Sequence, residues 1–254
     1  MTAESLLPYF GYVGTAASAA LASAVLVSLH RLHRRPWLRS WSWSWLFLAL
    51  HSLVSATAYL ASRTGVGPWP RLGLATAAAL AGFAQLVWLL AGAREVSTAL
   101  LVPCRRLGVF VGLAAPASIL LSLPGAFDPS AGFTRYALRF GVRSLAAGLA
   151  FLAAAEVVRR GLRGRPPLGR RLVAGSLAVT GLHQLNYLLV GIGGFSSGTR
   201  NPFLSLLTSL DVLLAVVTVL GVVILLVEDE RNAAIAAAER LEHMAGHDAL
   251  TGLP

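Results

Sequence analysis

Lysine is absent from this chain: all 21 of its basic residues are arginine. That excludes a chromophore carried on a lysine, as retinal is in rhodopsin-like photoreceptors. Cysteine is nearly absent too. With Cys104 alone there is no intrachain disulfide and no paired-thiol redox or metal motif, and Cys104 reads as a small apolar filler at a membrane face. Charge is scarce: 13% of the 254 residues are charged and 56% are hydrophobic, where soluble domains carry roughly 25% charged residues. A chain with so little polar material cannot cover itself for water. It is expected to be an integral membrane protein.

What the sequence has in abundance is apolar runs. Seven segments, at 6–29, 41–62, 72–92, 107–124, 140–158, 172–193 and 203–227, lie near the length of about 20 residues that crosses roughly 30 Å of hydrocarbon. In lipid each must be a helix, because only a helix satisfies its backbone hydrogen bonds within one segment. The expected fold is an all-α membrane protein, a seven-transmembrane helix bundle. Gly65, Gly67, Pro68 and Pro70, residues 124–132, and Pro166 with Pro167 punctuate three of the connections, which read as turns and short loops.

Orientation follows from the arginines. Thirteen of them follow segments one, three and five, at 31–39, 94–106 and 159–171, and six lie on the opposite side. Positive loops stay cytoplasmic, so the N-terminus is expected outside and the C-terminus inside. The same rule accounts for the formal charge of +10 without nucleic acid. No basic stretch precedes the first segment, which therefore reads as a retained span and not as a cleaved signal peptide. Trp37, Trp41, Trp43 and Trp45 at the start of the second segment, and Trp69 in an opposite loop, read as interfacial aromatic belts.

After Val227 the chemistry changes. Glu228, Asp229, Glu230 and Arg231 end the last apolar run, and an alanine-rich stretch of strong helix propensity follows. Its apolar residues Ala234, Ala237, Leu241 and Met244 recur at spacings of three, four and three, the seam of a short coiled coil. A helix leaving the last span in this way is suited to pass on a shift or rotation of that span. Gly246 then interrupts it.

The last eight residues, His247-Asp248-Ala249-Leu250-Thr251-Gly252-Leu253-Pro254, resemble the opening of the GGDEF family of diguanylate cyclases, whose domains commonly begin Asp-x-Leu-Thr-Gly-Leu-Pro-Asn-Arg. The match follows a membrane segment and a coiled-coil-like linker directly, which is the layout of membrane-bound cyclases. The resemblance implies three regions: a membrane sensor at 1–227, a cytoplasmic signalling helix at 228–246, and the start of a truncated GGDEF domain at 247–254. It implies that Asp248, Leu250 and Thr251 couple the incoming helix to the catalytic domain, and the seam residues Leu241 and Met244 are expected to carry the signal to them. It also implies a homodimer in a bacterial inner membrane, because such cyclases work as pairs of domains, each holding one GTP. The family's metal-binding carboxylates and glycine-rich nucleotide turn are not in these residues. Two-metal phosphoryl transfer needs both, so catalytic residues are expected to be none here, and Mg and GTP are implied for a downstream cyclase domain. An ending in mid-motif favours the sensory half of a longer protein, which in this family sometimes carries a phosphodiesterase domain as well. The Met-His-Tyr-Thr repeats of one seven-helix family found beside cyclases are missing, since the methionines are Met1 and Met244.

Polar residues inside spans are the candidates for sensing, because burying them in lipid is costly. His51, His183 and Asp211 each fall roughly 13 to 16 Å from one membrane face at about 1.5 Å per residue, near the midplane. If they converge, two histidines and a carboxylate can bind a metal, a haem or a polar ligand, or act as a proton-sensitive switch; otherwise they hydrogen-bond between helices and fix packing. Gln85, Gln184 and Asn186 can line the same space. Arg135, Arg139 and Arg143 recur every four residues and are expected to stripe one face at the outer end of the fifth span. Such a stripe can hold an anionic ligand or membrane lipid, and Arg143 can pair with Asp211. Glu156 precedes Arg159 and Arg160 by three and four residues, the spacing of a local ion pair. A transporter or channel subunit would also carry midplane polar groups, but it gives the terminal motif no place. A sensor for a different output domain, such as a histidine kinase, would share the bundle and differ in the motif.

Overall fold

A computed structural model describes residues 3–98, 100–124, 127, 136–162, 167–197 and 203–246. Among the described residues every regular element is helical: α1 (Ala3–His33), α2 (Pro36–Arg63), α3 (Pro68–Thr98), α4 (Cys104–Ser122), α5 (Val142–Gly161, entered through a π-helical turn at Tyr136–Gly141), α6 (Pro167–Ser197) and α7 (Phe203–Gly246). Pro36, Pro68 and Pro167 open their helices, where a preset φ helps and the missing N–H is no loss. Between α1 and α2 the chain reverses at Arg34, whose φ of +54° is left-handed and whose N–H donates to His30 O at 2.8 Å.

The expectation of a multi-pass membrane protein holds. Among the described residues six helices, α1 to α5 and α7, are long and apolar enough to cross a membrane. Seven segments were expected. The one between them, α6, is 31 residues long, and it is the helix whose apolar run is broken by His183, Gln184, Asn186 and Tyr187.

Six helices close a ring. α1 packs on α2 and α7, α2 on α3, α3 on α5, α5 on α6, and α6 on α7, while α4 lies outside against α3 and the π-helical turn. Small residues let the backbones approach, as lipid-embedded helices require. A Cβ on Gly148 of α5 would stand 3.0 Å from Gly181 O of α6, and one on Gly181 would stand 2.9 Å from Gly148 O.

The arginine-rich loops lie where α1, α3 and α5 end and α2, α4 and α6 begin, and we term this the basic end. Much of the apolar core sits in that half, around Leu26, Leu38, Trp41, Phe151, Val158 and Leu225. Trp41 is 2% exposed. Its indole fills the slot left by Gly92, where a Cβ would come to 2.1 Å from the ring, and its Nε1–H donates to Leu89 O at 3.2 Å. Trp37 is buried edge-on against it. These two tryptophans are therefore core residues and not part of an interfacial belt, because α3 offers a glycine slot where a belt residue would meet a closed surface. Trp43 and Trp69 are exposed, as belt residues are.

Candidate functional site: a buried polar network

Toward the opposite end, the ring helices bring polar side chains together. Arg143, the second residue of α5, reaches across to α3, where its Nη2 donates to Gln85 Oε1 at 3.2 Å. Gly82, on the same face of α3, makes room for it: a Cβ there would stand 2.6 Å from Arg143 Nε and 3.2 Å from His51 Nδ1. His51 of α2 is thus a neighbour of the guanidinium, and its Nδ1 is 2.7 Å from Ala78 O of α3. On the other side stands Asp211 of α7. Its Oδ2 accepts from Tyr187 Oη at 2.7 Å, while its Oδ1 lies 3.3 Å from His183 Nε2 and 3.5 Å from Gln184 Nε2. Asp211, Tyr12 of α1 and Tyr187 all act on Arg143 through space. Every helix of the ring therefore contributes a polar group.

Five of the sequence-derived candidates, His183, Gln184, Asp211, Gln85 and Arg143, take part as buried or half-buried members, with His51 at the edge. The expected Arg143–Asp211 ion pair is replaced by a bond to Gln85, with Asp211 near enough to balance the charge without touching it. The two-histidine, one-carboxylate set does not assemble. His183 and Asp211 meet, but His51 lies beside the Arg143 guanidinium and bonds to α3 instead. Among the described residues no three His, Cys, Asp or Glu side chains come together in a way that could hold a metal.

Asn186 is a correction. It is exposed, because each residue turns a helix by about 100°, which puts the residue four after His183 closer to its face than the residue three after it. Tyr187 takes that place, its ring centre 4.8 Å from that of His183 and tilted to it by 55°, and edge-on to Phe140. The spacing alone could have found Tyr187. Tyr12, far away in sequence, gave no such sign.

The arginine stripe is also corrected. Arg139 lies in the π-helical turn and donates Nη2 to Ser122 O at the end of α4, at 2.5 Å, whereas Arg143 points into the ring. A π turn takes an extra residue, so a four-residue spacing across it no longer marks one face. Arg135 lies outside the described residues, as do Asp248, Leu250 and Thr251. Leu241 and Met244 are exposed along the free part of α7. Glu156 makes its local pair, accepting from Arg159 Nε at 2.6 Å and from Arg160.

Chemically the network is a nearly charge-balanced set with slack in it. Arg143 Nε and Ser144 Oγ are buried and find no partner among the described residues, and an unsatisfied buried donor marks a place where a water or a rearrangement belongs. On the basic side of the network a cavity of about 10 Å³ is lined by Ser44, Gln85, Trp41 and Thr218, which is room for one water. Such a site can trade hydrogen bonds and protons among ring helices. No protein-family model matches the chain, and none of the curated proteins or solved structures matches it.

Proposed function

We propose that this chain is the membrane-embedded sensory and signal-transmitting region of a diguanylate cyclase, which makes cyclic di-GMP from two GTP. In this reading α6 is the seventh span, the N-terminus is outside and the basic end is cytoplasmic, in a bacterial plasma membrane. The protein acts as a homodimer whose paired exit helices set the geometry of the downstream cyclase domains. The observation that carries the reading is the continuity of α7. One helix of 44 residues bears Asp211 within the polar network, crosses the packed half of the ring and runs on to the residues that resemble a GGDEF opening. A rearrangement at Asp211 is then transmitted along a single rigid element.

Two measurements test it. The native protein, detected in membranes of the source cell with an antibody against residues 159–171, is expected to run well above 26.7 kDa; a product at 26.7 kDa in those membranes would remove the cyclase from this chain. With an intact cyclase joined at the C-terminus, inserting single residues within 232–245 is expected to change cyclic di-GMP output with helical periodicity, since each turns the cyclase by about 100°. A monotonic or absent response would rule out the rigid transmitting helix.

A further inference from the structure

A second feature lies on the outside of the ring, away from the polar network. Between the basic-end halves of α5 and α6 runs a groove of about 570 Å³. Its walls are apolar, with Leu152 and Ala155 from α5 facing Ala174 and Ala178 from α6. Gly175 of α6, an exposed residue, lines it too, and an added Cβ there would meet nothing within 4 Å. The rim at the basic end is cationic: Arg159 comes from α5, and Arg170 and Arg171 from the first turn of α6. One carboxylate, Glu156, also lines the groove, but Arg159 and Arg160 already occupy its oxygens. Arg170 is held in place by donating Nη1 to Leu162 O at 3.0 Å, which leaves its other N–H groups for a ligand. Arg171 is exposed and has no partner among the described residues.

An apolar trough that opens under a cluster of guanidinium groups, at the level where the helices leave the hydrocarbon, matches one kind of molecule. Guanidinium forks bind phosphate oxygens by charge-assisted hydrogen bonds, and basic pockets between membrane helices select anionic headgroups. We propose that this groove binds an anionic phospholipid of the adjoining leaflet. Its phosphate sits against Arg170 and Arg171, with Arg159 engaged by Glu156 at the edge of the rim, and one acyl chain lies along the trough over Gly175. The site depends on nothing said above about cyclic di-GMP.

The test is native mass spectrometry of the full chain in detergent, offered phosphatidylglycerol or phosphatidylcholine with identical acyl chains. The wild-type chain is expected to retain phosphatidylglycerol preferentially. Arg170→Gln combined with Arg171→Gln is expected to lower that retention by about fivefold for each guanidinium removed, and Arg171→Lys to keep most of it. Gly175→Leu, whose Cβ would meet nothing within 4 Å, puts a side chain into the trough and is expected to expel the lipid with every arginine in place. Helix content by circular dichroism checks each variant, and Arg171→Gln alone, at an exposed position, reports the headgroup contact should the double variant not fold. Equal retention of the two lipids would overturn the proposal. So would release by millimolar inorganic phosphate, or an undiminished lipid adduct in Gly175→Leu, since either would leave a simple anion site in place of a lipid groove.

Discussion

Near the basic end the ring is filled by Leu26, Trp41, Phe151 and Leu225, fitted to glycines and alanines of neighbouring helices; near the other end the same ring closes over Arg143, Gln85, Asp211, His183 and Tyr187. The first half does contain a buried carboxylate, Glu95, but both its oxygens are satisfied, by Ser40 Oγ at 2.7 Å and by Val102 N–H at 3.1 Å. In the second half Arg143 Nε and Ser144 Oγ are buried without partners among the described residues. Lipid supplies no hydrophobic drive between helices, so a bundle is held by close packing or by interhelical hydrogen bonds. Close packing has one good arrangement. A polar cluster with spare donors has several. If the bundle has two states, the difference between them lies in the polar half, with the packed half as the pivot that α7 crosses.

The sharpest way to break this comparison is to add one methyl group to each half. Gly92→Ala places a Cβ 2.1 Å from the buried Trp41 ring, which has nowhere to go, and is expected to cost about 3 kcal/mol. Gly82→Ala places one 2.6 Å from Arg143 Nε, near the end of a flexible side chain, and is expected to cost clearly less while altering the output of a joined cyclase. Thermal unfolding in detergent measures both costs. Equal losses would mean that the polar half is as rigid as the packed one.

Next in size is Asp211→Asn. It keeps an acceptor for Tyr187 but removes the charge that balances Arg143, so about 2 kcal/mol is expected to be lost, and cyclic di-GMP output is expected to change. An unchanged output under every condition would return the network to a packing role. Tyr187→Phe deletes the 2.7 Å hydrogen bond and leaves the ring contacts with His183 and Phe140. About 1 kcal/mol is expected from that change, and a loss as large as that of Gly92→Ala would show that the ring's polar half is held mainly by this one bond.

Most of the helices were legible because lipid allows few alternatives: apolar length marked the helices, six of which are long and apolar enough to cross a membrane among the described residues, and proline and glycine marked their ends. The polar network was half legible. His183, Asp211, Gln85 and Arg143 stood out by their cost in a membrane, yet their partners depend on rotation about each helix axis. The π-helical turn before α5 changed that rotation for Arg139, and nothing in the composition of Tyr136–Gly141 announces it. Asn186 and Tyr187 are adjacent in sequence and differ by about 100° in direction, which decides between lipid and network. Trp41 was misread for a related reason, because the slot that buries it belongs to Gly92, on another helix.

The smallest effect on stability is expected where α7 leaves the ring. Glu230 pairs with His33 at the end of α1, with 2.5 Å between Oε1 and Nδ1. Two residues earlier, and so on nearly the opposite face of the helix, Glu228 Oε2 accepts from the Gly169 N–H in the first turn of α6 at 3.0 Å, where the helix dipole favours a carboxylate. The Glu230 side chain is 59% exposed, so screening leaves the pair worth about 0.5 kcal/mol, and Glu230→Gln is expected to move the unfolding transition hardly at all. Its position gives it leverage that its energy does not. The two carboxylates hold the exit point of α7 from both flanks, α1 on one side and α6 on the other, and everything beyond Glu230 up to Met244 is largely exposed. Releasing one flank is therefore expected to change cyclic di-GMP output from a joined cyclase by more than the loss of stability would suggest. The check is to measure both quantities in one preparation. A destabilisation matching that of Gly92→Ala would show that the packed half extends to the exit point, and the division of the bundle into a rigid pivot and a polar switch would fail.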